Sequence, residues 1–174
     1  PITVGYNEPA VNEAVIKQVN KFASGSLQSE LEVELAEKIC EIIPCAEMVR
    51  FVKNGGDATT AAIRLARAYT GRDAVLMSGY HGMHDWSIGA SENHKGVPDA
   101  VRALTTNFVY NDLEDLEIKL QEKEVAAVIL EPIQSSGPED GYLKKVKELT
   151  HKYGAILIFD EVVSGFHYAL GGAQ

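Results

Sequence analysis

The sequence predicts an α/β fold, a mostly parallel sheet with helices on both faces. Three observations predict it. Short apolar runs alternate with segments of helical period along most of the chain, the rhythm of strands joined by crossover helices. One run, Val125 to Leu130, is apolar almost throughout, as a strand buried on both faces should be. Several runs also end in Gly, His, Ser or a carboxylate, and open α/β sheets bind ligands beyond the carboxyl ends of their strands.

Each element can be justified in turn. From Pro9 to Phe22, the residues Val11, Val15, Val19 and Phe22 share one helical face. After the polar break Ser24-Gly25-Ser26, Ser29 and Glu32 have the spacing of a capping box. A second helix then follows through Leu31, Leu35, Ile39 and Ile42 to end at Pro44. Met48 to Val52 reads as a strand, and Asp57 to Tyr69 as an alanine-rich helix closed by Gly71. Ala74 to Met77 is a second strand, leading into Gly79-Tyr80-His81-Gly82, and Gly89 to Pro98 is polar and irregular. Asn107 to Tyr110 is a third strand and Leu113 to Lys123 a helix. After the strand Val125 to Leu130 comes a Ser, Gly and Pro loop from Gln134 to Gly141, then a helix from Tyr142 to Tyr153 and a strand from Ala155 to Phe159.

The 174 residues can bury a substantial core, and shares of 45% hydrophobic and 24% charged residues are those of an ordinary soluble protein. No apolar run approaches the ~20 residues that span a bilayer. The first residues, Pro1 to Gly5, show no signal-peptide pattern, and the missing initiator Met fits a processed or excised chain. A net charge of −9 argues against nucleic acid or an anionic membrane as the main partner. Cys40 and Cys45 match no disulfide framework or zinc spacing, so reduced thiols and a cytoplasmic location are expected.

The strand ends hold the candidate chemistry. Lys53-Asn54-Gly55-Gly56-Asp57 opens a helix, where free amides can hold an anion and glycines admit it closely. The same residues could simply turn the chain, with Asp57 as a cap. Tyr80 could stack on a planar ligand or pack internally. His81, His84 and Asp85 could ligate a metal, without the helical spacing of known zinc motifs. Glu131 could do chemistry or brace a neighbouring loop. Asp160 ends an apolar strand, where a buried carboxylate needs a cation or several donors. Three partners fit: a protonated pyridine nitrogen, a Mg²⁺ ion shared with Glu161, or a loop that Asp160 anchors. Glu161 should face away from Asp160 and Val162 should return to its side, because strand neighbours alternate.

Taken together, four stretches resemble the class III pyridoxal-phosphate (PLP) aminotransferases, and among them the glutamate-1-semialdehyde 2,1-aminomutases. They are Leu31 to Ala36; Arg50-Phe51-Val52 with Asn54-Gly55-Gly56-Asp57-Ala58; Tyr80-His81-Gly82; and Asp160-Glu161-Val162 with Ser164-Gly165-Phe166 and Gly171 to Gln174. The resemblance implies part of a fold-type I large domain over residues 25–174. Residues 1–24 would form a helix at the junction with the small domain. It implies PLP as cofactor, small amino and keto substrates, a homodimer, and amino-group transfer by an aminotransferase or aminomutase. By position, Gly55 and Gly56 would hold the phosphate, Tyr80 and Val162 would cover the two ring faces, and Asp160 would bind the ring nitrogen. His81 and Ser136 would complete the cofactor site.

Departures from the family pattern are also visible. Gly56 stands where the family has a Thr or Ser hydroxyl, Asp57 shortens a Glu, and His167 stands where the aminomutases have Arg. The loop after Glu131-Pro132 is shortened, leaving Ser136 as stand-in for an Asn. The family's Schiff-base lysine is expected beyond Gln174, so these residues alone are not expected to be a competent enzyme. Two rival readings remain at this stage: a non-catalytic PLP- or phosphate-binding module, and a Mg²⁺-dependent phosphohydrolase.

Overall fold

In the computed structural model, which describes residues 3–174, the chain divides into two units. The first holds the residues up to Arg50 together with Gly165–Gly172. It contains α1 (Pro9–Lys21) and α2 (Glu30–Ile42). Pro9 begins α1 where its missing N–H costs nothing, and the Glu8 carboxylate accepts from the Ala10 amide at 3.3 Å. The capping box expected at α2 is formed: the Glu32 amide donates to Ser29 Oγ at 3.4 Å, and Ser29 N donates to Glu32 Oε2 at 2.6 Å. Replacing Ser29 with Ala should cost about 1 kcal/mol. Faster hydrogen exchange in the first turn of α2 would register that loss, and unchanged exchange would argue against it.

The second unit, Phe51–Ser164 with Ala173–Gln174, contains the sheet. Its elements are α3 (Gly55–Thr70), β1 (Ala74–Ser78), α4 (Asp85–Ile88), α5 (Asp99–Arg102), β2 (Thr105–Asn107), α6 (Leu113–Glu122), β3 (Val125–Leu130), α7 (Tyr142–Lys152) and β4 (Ile156–Phe159). The four strands run parallel in the order β2-β1-β3-β4. Two-residue alternation splits the core between the faces. Leu76, Val128 and Leu130 pack with Leu116 and Leu120 of α6 and Val146 of α7. Val75, Met77, Ala127 and Ile129 pack with Ile63 and Ala66 of α3 and with Trp86. Every residue of β3 is buried, as its unbroken apolar run requires.

The strand expected at Met48 to Val52 does not form. The sheet ends at β2 and β4, and this segment pairs with neither. Met48 is 91% exposed, so an apolar run without a ladder partner is not a strand here. The third strand lies at Thr105–Asn107 rather than Asn107 to Tyr110. The Phe108 amide still reaches Met77 O at 2.9 Å, but Val109 N donates to Asp115 Oδ2 at 2.8 Å, which turns the chain away. Two short helices, α4 and α5, flank the stretch read as irregular.

This topology locates a crevice. From β1 the chain adds β2 on one side, and β3 then lies on the other. The carboxyl ends of β1 and β3 therefore flank a topological switch point, where ligands bind in open α/β sheets.

Candidate active site

A cleft of about 580 Å³ lies at that switch point, lined among others by Gly55, Gly56, Tyr80, His81, Asp160 and Val162. It is of the size that holds a small cofactor. A groove of about 690 Å³ between α1 and α2 is larger, but it lies at no strand end.

β1 delivers the loop Gly79-Tyr80-His81-Gly82. Tyr80 N donates to Glu131 Oε1 at 3.3 Å, and Gln134 Nε2 donates to Ser78 O at 3.0 Å. The residues after β3 thus brace the loop after β1. Thr59 Oγ1 donates to His81 O at 2.8 Å and lies 3.1 Å from Gly56 O, joining the same loop to the first turn of α3. There Gly55 and Gly56 are the first two helical residues, and no described residue accepts from their amides. A Cβ on Gly55 would lie 2.7 Å from Val162 Cγ2, so glycine is what lets these two walls approach. Asp57 Oδ2 turns back toward Asn54, accepting from its backbone N at 3.2 Å and its Nδ2 at 3.1 Å.

β4 delivers Asp160, whose amide continues the ladder to Leu130 O at 3.0 Å. Its side chain is nearly buried, with Oδ2 at 2.8 Å from His81 Nδ1, while Oδ1 accepts from Val162 N at 3.0 Å. The His81 ring is fully enclosed, and its Nε2 faces Ser78 O at 3.1 Å. A carbonyl only accepts, so Nε2 carries a hydrogen; the carboxylate is satisfied when Nδ1 carries one as well. His81 therefore fixes the orientation of Asp160 from behind. Tyr80 and Val162 remain 65% and 52% exposed, leaving an aromatic and an apolar side chain free to cover a ligand.

Glu161 does face elsewhere: its Oε2 accepts from Ser164 Oγ at 2.8 Å and Ala173 N at 2.7 Å. Ser136 is exposed on its loop and does not line the cleft. Sequence reasoning left open what Glu131 does and did not identify Thr59 as a link. A Thr one turn into a glycine-started helix carries no pattern that announces a loop 22 residues away. Among the described residues, no three His, Cys, Asp or Glu side chains converge as a metal site, and no helix is long and apolar enough to cross a membrane.

A parallel sheet thus brings glycine amides, an aromatic residue and a nearly buried carboxylate around one switch-point cleft, the arrangement of an open α/β protein with its crevice at the strand ends. The chain belongs to the class III aminotransferase family, whose pattern it matches over residues 1–172. It is 43% identical, over its whole length, to 3-aminobutyryl-CoA aminotransferase of Cloacimonas acidaminovorans. It is 41% identical, again over its whole length, to glutamate-1-semialdehyde 2,1-aminomutase of Methanothrix thermoacetophila. In both cases it spans 44% of the relative's length. An omega-transaminase from Sphaerobacter thermophilus superposes on 99% of the chain, and the chain on 44% of it, with a TM-score of 0.90 at 32% identity. A transaminase with PLP bound gives 0.91 at 29% identity, with the same coverage of 99% and 44%. The fold is that of the fold-type I transaminases.

Proposed function

We propose that the protein containing this chain binds PLP in the switch-point cleft and uses it to move an amino group. The transfer is between two small amino and keto molecules, or within one as an aminomutase does. The observation that carries this reading is Asp160, nearly buried, backed by His81, and lining the same cleft as Gly55, Gly56 and Tyr80. These residues fit the cofactor. Glycine amides without acceptors suit a phosphate, and a buried carboxylate suits a protonated pyridine nitrogen. When bound, PLP supplies an electron sink for a bond broken beside the substrate's nitrogen.

The remaining roles belong to the chain. Gly55 and Gly56 hold the phosphate, Tyr80 packs on one ring face, and Val162 packs on the other. Asp160 holds a proton on the ring nitrogen, and His81 keeps Asp160 oriented. A homodimer is part of the same reading, supported by apolar side chains exposed on α1 and α2, such as Val15, Val19 and Leu31. So is a cytoplasmic location, supported by the unpaired thiols of Cys40 and Cys45.

The test is a titration of the longest native form with PLP, followed by borohydride reduction and mass spectrometry. The expected result is saturable binding with a visible absorbance band and one modified lysine. No saturable binding would defeat the proposal. Tyr80→Ala should weaken binding about tenfold, as the loss of one stacked ring face predicts.

A further inference from the structure

His84 lines the same cleft, and nothing in the roles above uses it. We infer that its Nε2–H is a direct hydrogen-bond donor to the phosphate bound at Gly55 and Gly56, an inference that rests on the PLP reading.

The direction of one hydrogen-bond chain supports this. Trp86 Nε1 lies 2.8 Å from Thr60 Oγ1, and an indole N–H can only donate. Thr60 Oγ1 is therefore an acceptor there, with its own hydrogen free for His84 Nδ1 at 2.7 Å. Nδ1 then accepts, and the ring proton is on Nε2. The opposite tautomer would leave the Thr60 hydrogen without an acceptor and turn a lone pair toward Asp57 Oδ1, 3.6 Å from Nε2. A doubly protonated ring also carries a hydrogen on Nε2. The satisfied tautomer and the doubly protonated ring thus present a donor at the same place.

That place is the mouth of α3. A Cβ built on Gly56 would lie 3.8 Å from His84 Nε2, so the imidazole edge stands beside the amides that have no acceptor. At 3.6 Å Nε2 is beyond hydrogen-bond length from Asp57, and no other described residue bonds to it. The His84 side chain is 40% exposed, so a ligand can reach it. The donor also has an electrostatic task. Asp57 brings a negative charge close to the anion site, and the His84 N–H offsets it. Trp86 and Thr60 fix the ring, so little freedom is lost on binding.

The experiment compares PLP with pyridoxal, which lacks the phosphate, by absorbance titration of the longest native form. His84→Ala should weaken PLP binding about tenfold, the worth of one hydrogen bond to a charged group, and leave pyridoxal binding unchanged. Thr60→Val, which frees the ring to turn, should shift PLP binding in the same direction by less. Gly56→Ser should restore much of the loss in the His84→Ala background, since a Cβ there stands 3.8 Å from the deleted nitrogen and 3.8 Å from Gly82 Cα, ordinary contact distances that leave room for the hydroxyl it carries. The ³¹P resonance of bound PLP should move in His84→Ala. Equal weakening of both ligands, or no weakening of either, would overturn the inference and leave the cofactor reading standing. Native protein that binds neither ligand would overturn both.

Discussion

Asp160→Ala should lose about 1–3 kcal/mol of stability, together with nearly all PLP affinity. The stability part follows from geometry alone. His81 is fully enclosed and its Nδ1 has only the Asp160 carboxylate as partner, at 2.8 Å. Removing one partner of a buried hydrogen bond leaves the other unsatisfied, which costs more than the bond itself contributes. The Val162 amide would lose its acceptor too, loosening the side chain read as a ring cover. Asp160→Asn should cost less in stability, because one amide oxygen can still accept. It should cost as much in function, because a neutral amide cannot hold a proton on a pyridine nitrogen. Denaturant unfolding and PLP titration of both variants measure the two effects separately. An Asp160→Ala protein as stable as the parent would show that His81 does not depend on this carboxylate.

Gly82→Ala should cost about 2–4 kcal/mol and displace the loop that carries Tyr80. Two independent penalties combine. Gly82 has φ +105°, a conformation that residues with a Cβ adopt only under strain of about 1–3 kcal/mol. Its added Cβ would also stand 2.9 Å from Gly56 Cα, and backbone cannot rotate aside as a side chain can. The only relief is to part the loop from α3, against the Thr59 to His81 bond at 2.8 Å. Gly71 is the control: φ is +68°, nothing lies within 4 Å of its Cβ position, and it caps α3 in the left-handed region. Gly71→Ala should cost about 1 kcal/mol. Thermal unfolding of the two variants side by side distinguishes strain from collision, and equal losses would eliminate the collision.

Most helices and three of the four strands were legible in the sequence because each is specified locally. Ser29 and Glu32 announce a capping box that forms as spaced, and Gly71 announces a helix end. Val125 to Leu130 has no polar face to turn outward, so it can only be an inner strand. The misreadings share a cause. Met48 to Val52 and Asn107 to Tyr110 have strand-like side chains, but a strand is made by its neighbour. Which neighbour is present depends on the whole sheet.

The site divides along the same line. By itself the sequence determined that Asp160 ends an apolar strand, that Gly55-Gly56 open a helix, and that Tyr80 follows another strand. Those are consequences of periodicity and of residue type at element ends. Tertiary structure alone decided that all three line one cleft, that His81 stands behind Asp160, and that Ser136 stays outside. It also decided that His84, one more histidine in a polar loop, is oriented by Thr60 and Trp86 toward the start of α3. The physical reason is range. Caps and alternation act over a few residues, whereas the His81–Asp160 pair closes 79 residues of chain and exists only once the parallel sheet sets β1, β3 and β4 side by side.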